Sequence, residues 1–405
     1  MFMDLTALLI IAFLFIFYSL FSAKFEKSLI SGPMFFAAMG LLMFLAPSQG
    51  YAEIDEEFIH VFAEITLILV LFSDAANIPE KQLKKYVSLP FRLLLIGMPL
   101  SIILGVLLGA QLFPELPILE VAVFVAVLTP TDAALGHAIV TSNLLPQKIK
   151  QTLSVESGLN DGIALPFVLL FASMAAIGGS EHEVNWIEFI IKQLSIAPLV
   201  AIIIGRLSAK SINLAQKKQW IEEGFTGIIS LATALAAFAL SELLGGNGFI
   251  AAFVAGYVFG NSLDSNFRFL REFSETEGTL LTMGIFFIFG YYSVPEALHN
   301  FNWKWLVYAV LSLTVIRMLP VYLAVLGKGF KLPTALFFGW FGPRGLASIL
   351  FLLLVLKDRE FTHVEDIIGV VVTTVALSIV LHGISANPLT KIYGKKYADK
   401  EENME

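Results

Sequence analysis

The chain has 405 residues, of which 57% are hydrophobic and 15% are charged, and its mean hydropathy is +0.80. Soluble domains carry about 25% charged residues, so this composition indicates an integral membrane protein. The absence of cysteine excludes a disulfide framework, a thiolate metal site and a cysteine nucleophile. The net charge of -7 is modest and no basic stripe is present, so nothing indicates a nucleic-acid partner.

Thirteen apolar runs are long enough to cross a bilayer, for which a helix needs about 20 residues. The first run follows Met-Phe-Met-Asp rather than a basic segment, so we expect a retained span and not a signal peptide. The predicted fold class is therefore an all-α polytopic membrane protein. Its transmembrane helices are placed at about 4–22, 28–46, 58–76, 88–111, 117–139, 149–177, 186–206, 223–243, 247–262, 277–295, 303–327, 332–356 and 366–389.

The charges of the loops give the expected orientation. Twenty of the 26 Lys and Arg residues lie in one set of loops or in the C-terminal tail, and the opposite set of loops is acidic or neutral. The two sets alternate at every crossing, as the positive-inside rule requires. We expect the N-terminus outside and the C-terminus in the cytoplasm, in a plasma (bacterial inner) membrane. The tail, 391–405, is short and polar and is expected to be disordered.

Ionisable residues inside spans are expensive, and they usually pair or line a pathway. Asp74 lies near the cytoplasmic end of the third span, where either a capping role or a supporting charge fits it. Glu64 is expected to hydrogen-bond within the bundle. The histidines near span ends, including His382, show no metal-ligand spacing. Seven ionisable residues lie well inside the predicted spans: Glu64, Asp74, Asp132, Glu156, Asp161, Arg317 and Arg344.

Two spans contain residues that disfavour a continuous helix. The fifth contains Leu-Thr-Pro-Thr-Asp-Ala-Ala-Leu-Gly at 128–136, and the twelfth contains Gly-Trp-Phe-Gly-Pro-Arg-Gly-Leu at 339–346. Proline removes a donor and glycine weakens the helix, so both spans are expected either to kink or to unwind in mid-membrane. Asp132 and Arg344 would then lie near half-helix ends and offset their dipoles.

The positions of these two spans predict an inverted repeat. Each broken span is the second helix of a three-span unit, spans 4–6 and spans 11–13. The twelfth span follows the fifth by seven positions, an odd number, so the two units have opposite topology. Broken helices at matching positions of two halves are typical of secondary transporters.

The sixth span contains a polar cluster inside an apolar run, Ser-Val-Glu-Ser-Gly-Leu-Asn-Asp-Gly at 154–162. Ser157 and Asp161 are four residues apart, as are Glu156 and Asn160, so each pair shares a helix face. Oxygen ligands at membrane depth favour a cation site, and the alternative is a hydrogen-bonded polar contact between helices.

These motifs together resemble the monovalent cation–proton antiporters, in the sodium/proton exchanger branch that includes bacterial NhaP-type proteins. The resemblance covers nearly the whole chain. It rests on Thr131-Asp132, on the sixth-span cluster 156–162, on Gly342-Pro343-Arg344-Gly345, on Leu71-Phe72-Ser73-Asp74 and on the glycine-bounded run 246–256. Ala133 departs from the pattern, because many relatives have proline there and this chain has Pro130 instead.

The resemblance implies an antiporter fold with inverted repeats and two unwound crossing helices. It implies one membrane domain, 1–390, with a core at about 88–177 and 303–390 and a dimer-forming scaffold at about 1–76 and 186–295. It also implies a homodimer in the lipid bilayer. Asp161 would bind either the cation or the proton, with Ser157 and Thr131 as further Na⁺ ligands.

The roles of neighbouring residues also follow from the resemblance. Glu156, Asn160 and Asp132 would complete the cation and proton site, and Glu156 would pair with Arg317. Arg344 and Asp74 would be supporting charges. Asn160 stands where electrogenic relatives carry a second aspartate, which implies an electroneutral exchanger.

The predicted function is antiport of Na⁺ or Li⁺ against H⁺, with no cofactor and no enzymatic activity. A potassium/proton antiporter of the same fold is the alternative. Two further alternatives are less favoured. A channel would need a filter sequence, and none appears; a carrier of an anionic solute is disfavoured by the carboxylate-rich core.

Overall fold

The computed structural model describes residues 5–25, 28–46, 55–78, 80, 88–140, 142–176, 186–222, 224–264, 268–357 and 359–402. Some of the loop residues that predict the orientation in the membrane lie outside these ranges: Lys27, Lys81, Lys84, Lys85 and the loop at 180–183.

Throughout these ranges the regular structure is helical, without a β-strand, which confirms the predicted all-α class. We number the helices by predicted span and divide the two broken ones. They are α1 (Leu5–Phe25), α2 (Gly32–Leu45), α3 (Glu56–Ala76), α4 (Ser88–Leu112), α5a (Ile118–Val127), α5b (Ala133–Val140), α6 (Gln147–Ala175), α7 (Trp186–Lys217), α8 (Phe225–Leu243), α9 (Gly248–Ser262), α10 (Arg268–Ile288, continued by Phe289–Ser293 and Val294–His299), α11 (Trp303–Leu313 and Val315–Val325), α12a (Leu332–Trp340), α12b (Leu346–Lys357) and α13 (Val364–Glu402).

Nine helices of the described chain are long and apolar enough to cross a membrane. The other four predicted spans correspond to the shorter apolar helices α2, α5a, α9 and α12b, two of which are halves of broken spans. The chain is therefore a multi-pass membrane protein, and the count of thirteen crossings stays a prediction.

Half-helix α5a lies at the centre of the bundle. All its side chains from Glu120 to Val127 are buried, as expected of a helix that is apolar on every side. It packs against α4, α6, α12b and α13. This position places the unwound segment that follows α5a in the interior of the protein.

Small residues let two other helices approach closely. Gly256 and Gly260 of α9 lie against the main-chain carbonyls of Phe72 and Ala76 of α3, and a Cβ at either glycine would overlap them. In a membrane, such contacts replace the hydrophobic driving force that water would supply. They fix the C-terminal half of α3, which carries Asp74.

Three sequence expectations require correction. The tail is not disordered over its described part, because α13 continues to Glu402 and Tyr393 packs its ring on Phe337 of α12a with centroids 4.4 Å apart. Helix α7 continues past the predicted end at 206 to Lys217. Helix α11 is interrupted at Thr314, whose ψ of -90 lies outside the helical range.

Candidate functional site

The two broken spans unwind where proline and glycine predicted it, at 128–132 and 341–345, and the two segments are bonded to each other. The main-chain N–H of Asp132 donates to the carbonyl of Pro343 over 2.8 Å. Backbone groups freed from a helix in mid-membrane need partners within the protein. This bond supplies one and ties the two crossing helices together.

Asp132 and Arg344 each stabilise the helix end of the opposite span. Arg344 Nη1 donates to the carbonyls of Thr129 and Pro130, just after α5a, over 2.5 and 3.0 Å. Asp132 Oδ2 accepts the main-chain N–H of Leu346, which begins α12b, over 2.7 Å. A cation at a helix C-terminus and an anion at an N-terminus both oppose the helix dipole. The expected compensation of the helix dipoles is present, and each charged side chain acts on a helix of the other repeat.

Two glycines make room for these charged groups. A Cβ at Gly345 would overlap Oδ2 of Asp132, and a Cβ at Gly342 would overlap the guanidinium of Arg317. The Gly-Pro-Arg-Gly sequence therefore combines a helix break, a buried cation and two positions without side-chain bulk.

Helix α6 contacts the first unwound segment through Thr131. Ser157 Oγ donates to the Thr131 carbonyl over 2.7 Å, and Asn160 Nδ2 donates to Thr131 Oγ1 over 2.5 Å. These two contacts bring the sixth-span cluster against the broken fifth span. They also place Asp161, one turn after Ser157, beside the same segment.

Among the carboxylates of this cluster, Asp161 has a distinct environment. Its Oδ1 is buried and has no hydrogen bond to any described residue. The side chain lines a cavity of about 510 Å³ together with Asp74, Thr131, Asp132 and Ser157. Ser154 and Thr279, which line the same cavity, are exposed, so the cavity reaches the protein surface at their end.

Glu156 is directed elsewhere. It forms an ion pair with Arg317 of α11, with 2.6 Å between Oε1 and Nη2, and both side chains are at least 95% buried. The expected pairing of Glu156 with Arg317 is present. Neither Glu156 nor Asn160 lines the cavity. The geometry therefore separates these two residues from the direct ligand set that the sequence expectation gave them.

Asp74 is among the cavity-lining residues, at the end of α3, so it lies in the same cavity as Asp161 and not at the interface with lipid. Glu64, ten residues earlier on α3, does not reach the cavity. It pairs with Lys357 of α12b over 2.8 Å.

Sequence reasoning missed two functional candidates on α13, His382 and Ser378. His382 does not lie at a span end but is buried, 1% exposed, between Trp340 and Ser378. Ser378 Oγ accepts the main-chain N–H of Arg344 over 2.8 Å. A signal was available, since two polar residues four apart in an apolar helix share one face.

Known proteins resemble this chain over most of its length. The family model described as "Sodium/hydrogen exchanger, transmembrane" matches residues 9–392. A Na(+)/H(+) antiporter of Schizosaccharomyces pombe is 26% identical over 422 residues, covering 94% of this chain and 88% of that one. A K(+)/H(+) antiporter NhaP2 of Shewanella oneidensis is 27% identical over 227 residues, or 56% of this chain and 39% of that protein.

Among solved structures, the sodium proton antiporter MjNhaP1 from Methanocaldococcus jannaschii at pH 8 superposes with a TM-score of 0.78. The identity is 20%, and the superposition covers 95% of this chain and 98% of that one. The fold is therefore the antiporter fold. Together with this fold, the family match over residues 9–392 shows that the chain belongs to the sodium/hydrogen exchanger family.

Proposed function

We propose that the protein exchanges Na⁺ or Li⁺ for H⁺ across a membrane, and that both ions bind in turn to Asp161. The observation that carries the proposal is the environment of this side chain: it is a carboxylate in a surface-connected cavity, and its buried Oδ1 bonds to no described residue. Ser157 and Thr131 line the same cavity, and oxygen ligands such as theirs suit a small, hard cation.

Competition for one carboxylate explains coupling. An ionised carboxylate in a membrane interior costs several kcal/mol or more, and either a proton or a monovalent cation removes that charge. The neutralised site then passes the apolar barrier at lower cost than the empty, charged site. Exchange follows without a separate coupling device, because the empty carrier returns slowly.

Exchange is proposed to be electroneutral, one cation for one proton. Asn160, beside Asp161, carries no charge and uses its amide to hold Thr131. The charge of Glu156 is balanced by Arg317, and Arg344 and Asp132 oppose helix dipoles. Of the two remaining carboxylates in the cavity, Asp161 and Asp74, Asp161 is proposed to change charge during the cycle, because it adjoins Thr131 and Ser157. Asp74 is proposed to support the site by holding cations in the cavity.

The arrangement of the whole protein is part of the proposal. Residues 88–177 and 303–390 would form a core that moves against a scaffold at 1–76 and 186–295, within a homodimer. The N-terminus would lie outside and the C-terminus in the cytoplasm of the plasma membrane. No cofactor enters the cycle.

Potassium is the second candidate cation. It is favoured by the match to NhaP2 of Shewanella oneidensis, whose name gives K⁺ as its cation. The oxygen ligands around Asp161 are compatible with either ion. The broader match, to the Schizosaccharomyces pombe Na⁺/H⁺ antiporter, supports sodium.

The test is dissipation of an imposed proton gradient in proteoliposomes that contain the purified protein. Sodium and lithium are expected to dissipate the gradient, and an imposed membrane potential is expected to leave the rate unchanged. Faster dissipation of the gradient by potassium than by sodium or lithium would instead support potassium/proton antiport. Flux that ignores the proton gradient would instead indicate a channel.

Asp161→Asn is expected to abolish exchange, because the amide can accept neither a proton nor the charge of a cation. Asp264→Asn serves as the control, since Asp264 is an exposed carboxylate paired with Lys217 at 2.9 Å and lies outside the cavity. Both variants are expected to elute as folded protein on size-exclusion chromatography. Normal exchange by folded Asp161→Asn would disprove the assignment.

A further inference from the structure

Helix α13 holds both ends of the unwound segment of the twelfth span. At one end, Nε2 of His382 lies 2.8 Å from the carbonyl of Trp340, the last residue of α12a. A carbonyl only accepts, so this contact is a hydrogen bond in the tautomer that carries its proton on Nε2. At the other end, the N–H of Arg344 donates to Ser378 Oγ over 2.8 Å.

The imidazole has one defined orientation. It stacks on the indole of Trp340 with ring centroids 4.9 Å apart, and Trp340 Nε1 donates to Ser385 Oγ over 2.9 Å. The second ring nitrogen, Nδ1, lies 2.9 Å from the carbonyl and 3.2 Å from the hydroxyl of Ser378. His382 and Ser378 are thus joined to each other as well as to the unwound segment.

Residues 340–344, which α13 anchors, in turn contact the unwound segment that contains Thr131. Between the two anchors, Pro343 accepts the N–H of Asp132, and Arg344 donates to the carbonyls of Thr129 and Pro130. These contacts surround Thr131, whose carbonyl accepts from Ser157 beside Asp161. Hydrogen bonds from α13 and from residues 343–344, together with the peptide bonds of 129–132, therefore connect α13 to Thr131, which lines the cavity.

We propose that His382 and Ser378 are positioning residues of the cation site. They touch neither the cavity nor the ion, and they act by fixing residues 340–344, which fix Thr131 relative to Asp161. This role rests on the proposed function, in which Thr131 and Asp161 share the cation. Loss of either anchor lets the ligand oxygens move apart, so cation affinity falls more than the maximum rate.

The experiment compares His382→Ala, His382→Gln and Ser378→Ala with a matched control, Thr374→Val. Thr374 is fully buried on the same helix, and its hydroxyl bonds to Val370 of that helix instead of the unwound segment. Glutamine at 382 retains an N–H that can reach the Trp340 carbonyl. The readouts are the apparent KM for Na⁺, the maximum rate, and hydrogen exchange of peptides covering 341–348.

His382→Ala and Ser378→Ala are expected to raise the apparent KM for Na⁺ about tenfold. An effect of this size is typical of residues that orient the ligands of an ion without contacting the ion. They are also expected to speed exchange of the 341–348 amides. His382→Gln is expected to keep KM within about threefold of wild type, a partial rescue. Thr374→Val is expected to leave KM and hydrogen exchange unchanged.

Two results would overturn the proposal: wild-type KM and amide protection in folded His382→Ala and Ser378→Ala, or no better function in His382→Gln than in His382→Ala. If His382→Ala does not fold, Ser378→Ala and His382→Gln decide the same question. Absence of sodium/proton exchange in the wild-type protein would refute the proposed function alone, since the hydrogen-exchange comparison still tests the anchoring.

Discussion

Two carboxylates five residues apart on one helix have opposite roles. Each residue of an α-helix advances by about 100°, so Glu156 and Asp161 point about 140° apart. Glu156 faces α11 and pairs with Arg317, whereas Asp161 lines the cavity and its Oδ1 has no hydrogen bond within the described chain. The same helix therefore presents one compensated charge and one that remains available to an ion.

Glu156→Gln is predicted to destabilise the protein by about 3–5 kcal/mol, because it leaves the buried guanidinium of Arg317 without a counter-charge. The measurement is thermal unfolding of the detergent-solubilised protein. The double variant Glu156→Gln/Arg317→Gln is the control, since it removes both charges, and we expect it to recover part of the loss. Unfolding temperatures equal to wild type in the single variant would contradict this account of the pair.

At this scale the sequence predicted what depends on local spacing. Helical periodicity was sufficient to group Ser157 with Asp161 on one face. It did not identify Arg317 as the partner of Glu156, which came from family resemblance, because the two residues are far apart in the chain. His382 was overlooked although Ser378 shares its helix face, because its contact with the Trp340 carbonyl is recognisable only once α12a ends where it does.

At the scale of helices, proline and glycine located both breaks, and they did so because their effect on a helix is intrinsic to the residue. The sequence did not show that the two unwound segments bond to each other through Asp132 and Pro343. It also gave the wrong result for the tail, whose polar composition suggested disorder. There, packing of Tyr393 against α12a overrides composition.

Gly345→Ala is predicted to impair exchange and stability together. Its Cβ would displace the Asp132 carboxylate from the start of α12b, which removes the acceptor of the Leu346 N–H at that buried helix N-terminus. We expect a cost of about 2 kcal/mol or more, measured as a lower unfolding temperature, with a large loss of the exchange rate. Gly224→Ala is the control, because a Cβ there meets nothing within 4 Å. Equal behaviour of the two variants would show that close approach at Gly345 is unimportant.

At the scale of the whole molecule, α3 and α12b pack side by side, with the cavity at one end of their contact and an ion pair at the other. One end of each helix lines the cavity, through Asp74 on α3 and Ala347 on α12b. Ten residues away, or about 15 Å along each axis, Glu64 and Lys357 pair over 2.8 Å. Buried Leu67 and Leu350 lie beside that pair. The cavity is therefore open at one end of this seam and closed at the other.

Alternating access requires the closed end to open, so weakening the Glu64–Lys357 pair is predicted to expose Leu67. The pair is partly solvent-exposed, and such pairs contribute about 0–1 kcal/mol, which corresponds to at most about a fivefold change in population. The chain has no cysteine, so Leu67→Cys provides a single labelling site. In that background, Glu64→Gln is expected to raise the rate of labelling by a membrane-impermeant maleimide about twofold to fivefold, in line with this change in population. Asp264→Asn, which removes a different exposed ion pair, is expected to leave the rate unchanged. Equal labelling rates in Glu64→Gln and the parent would mean that this ion pair does not hold the seam closed.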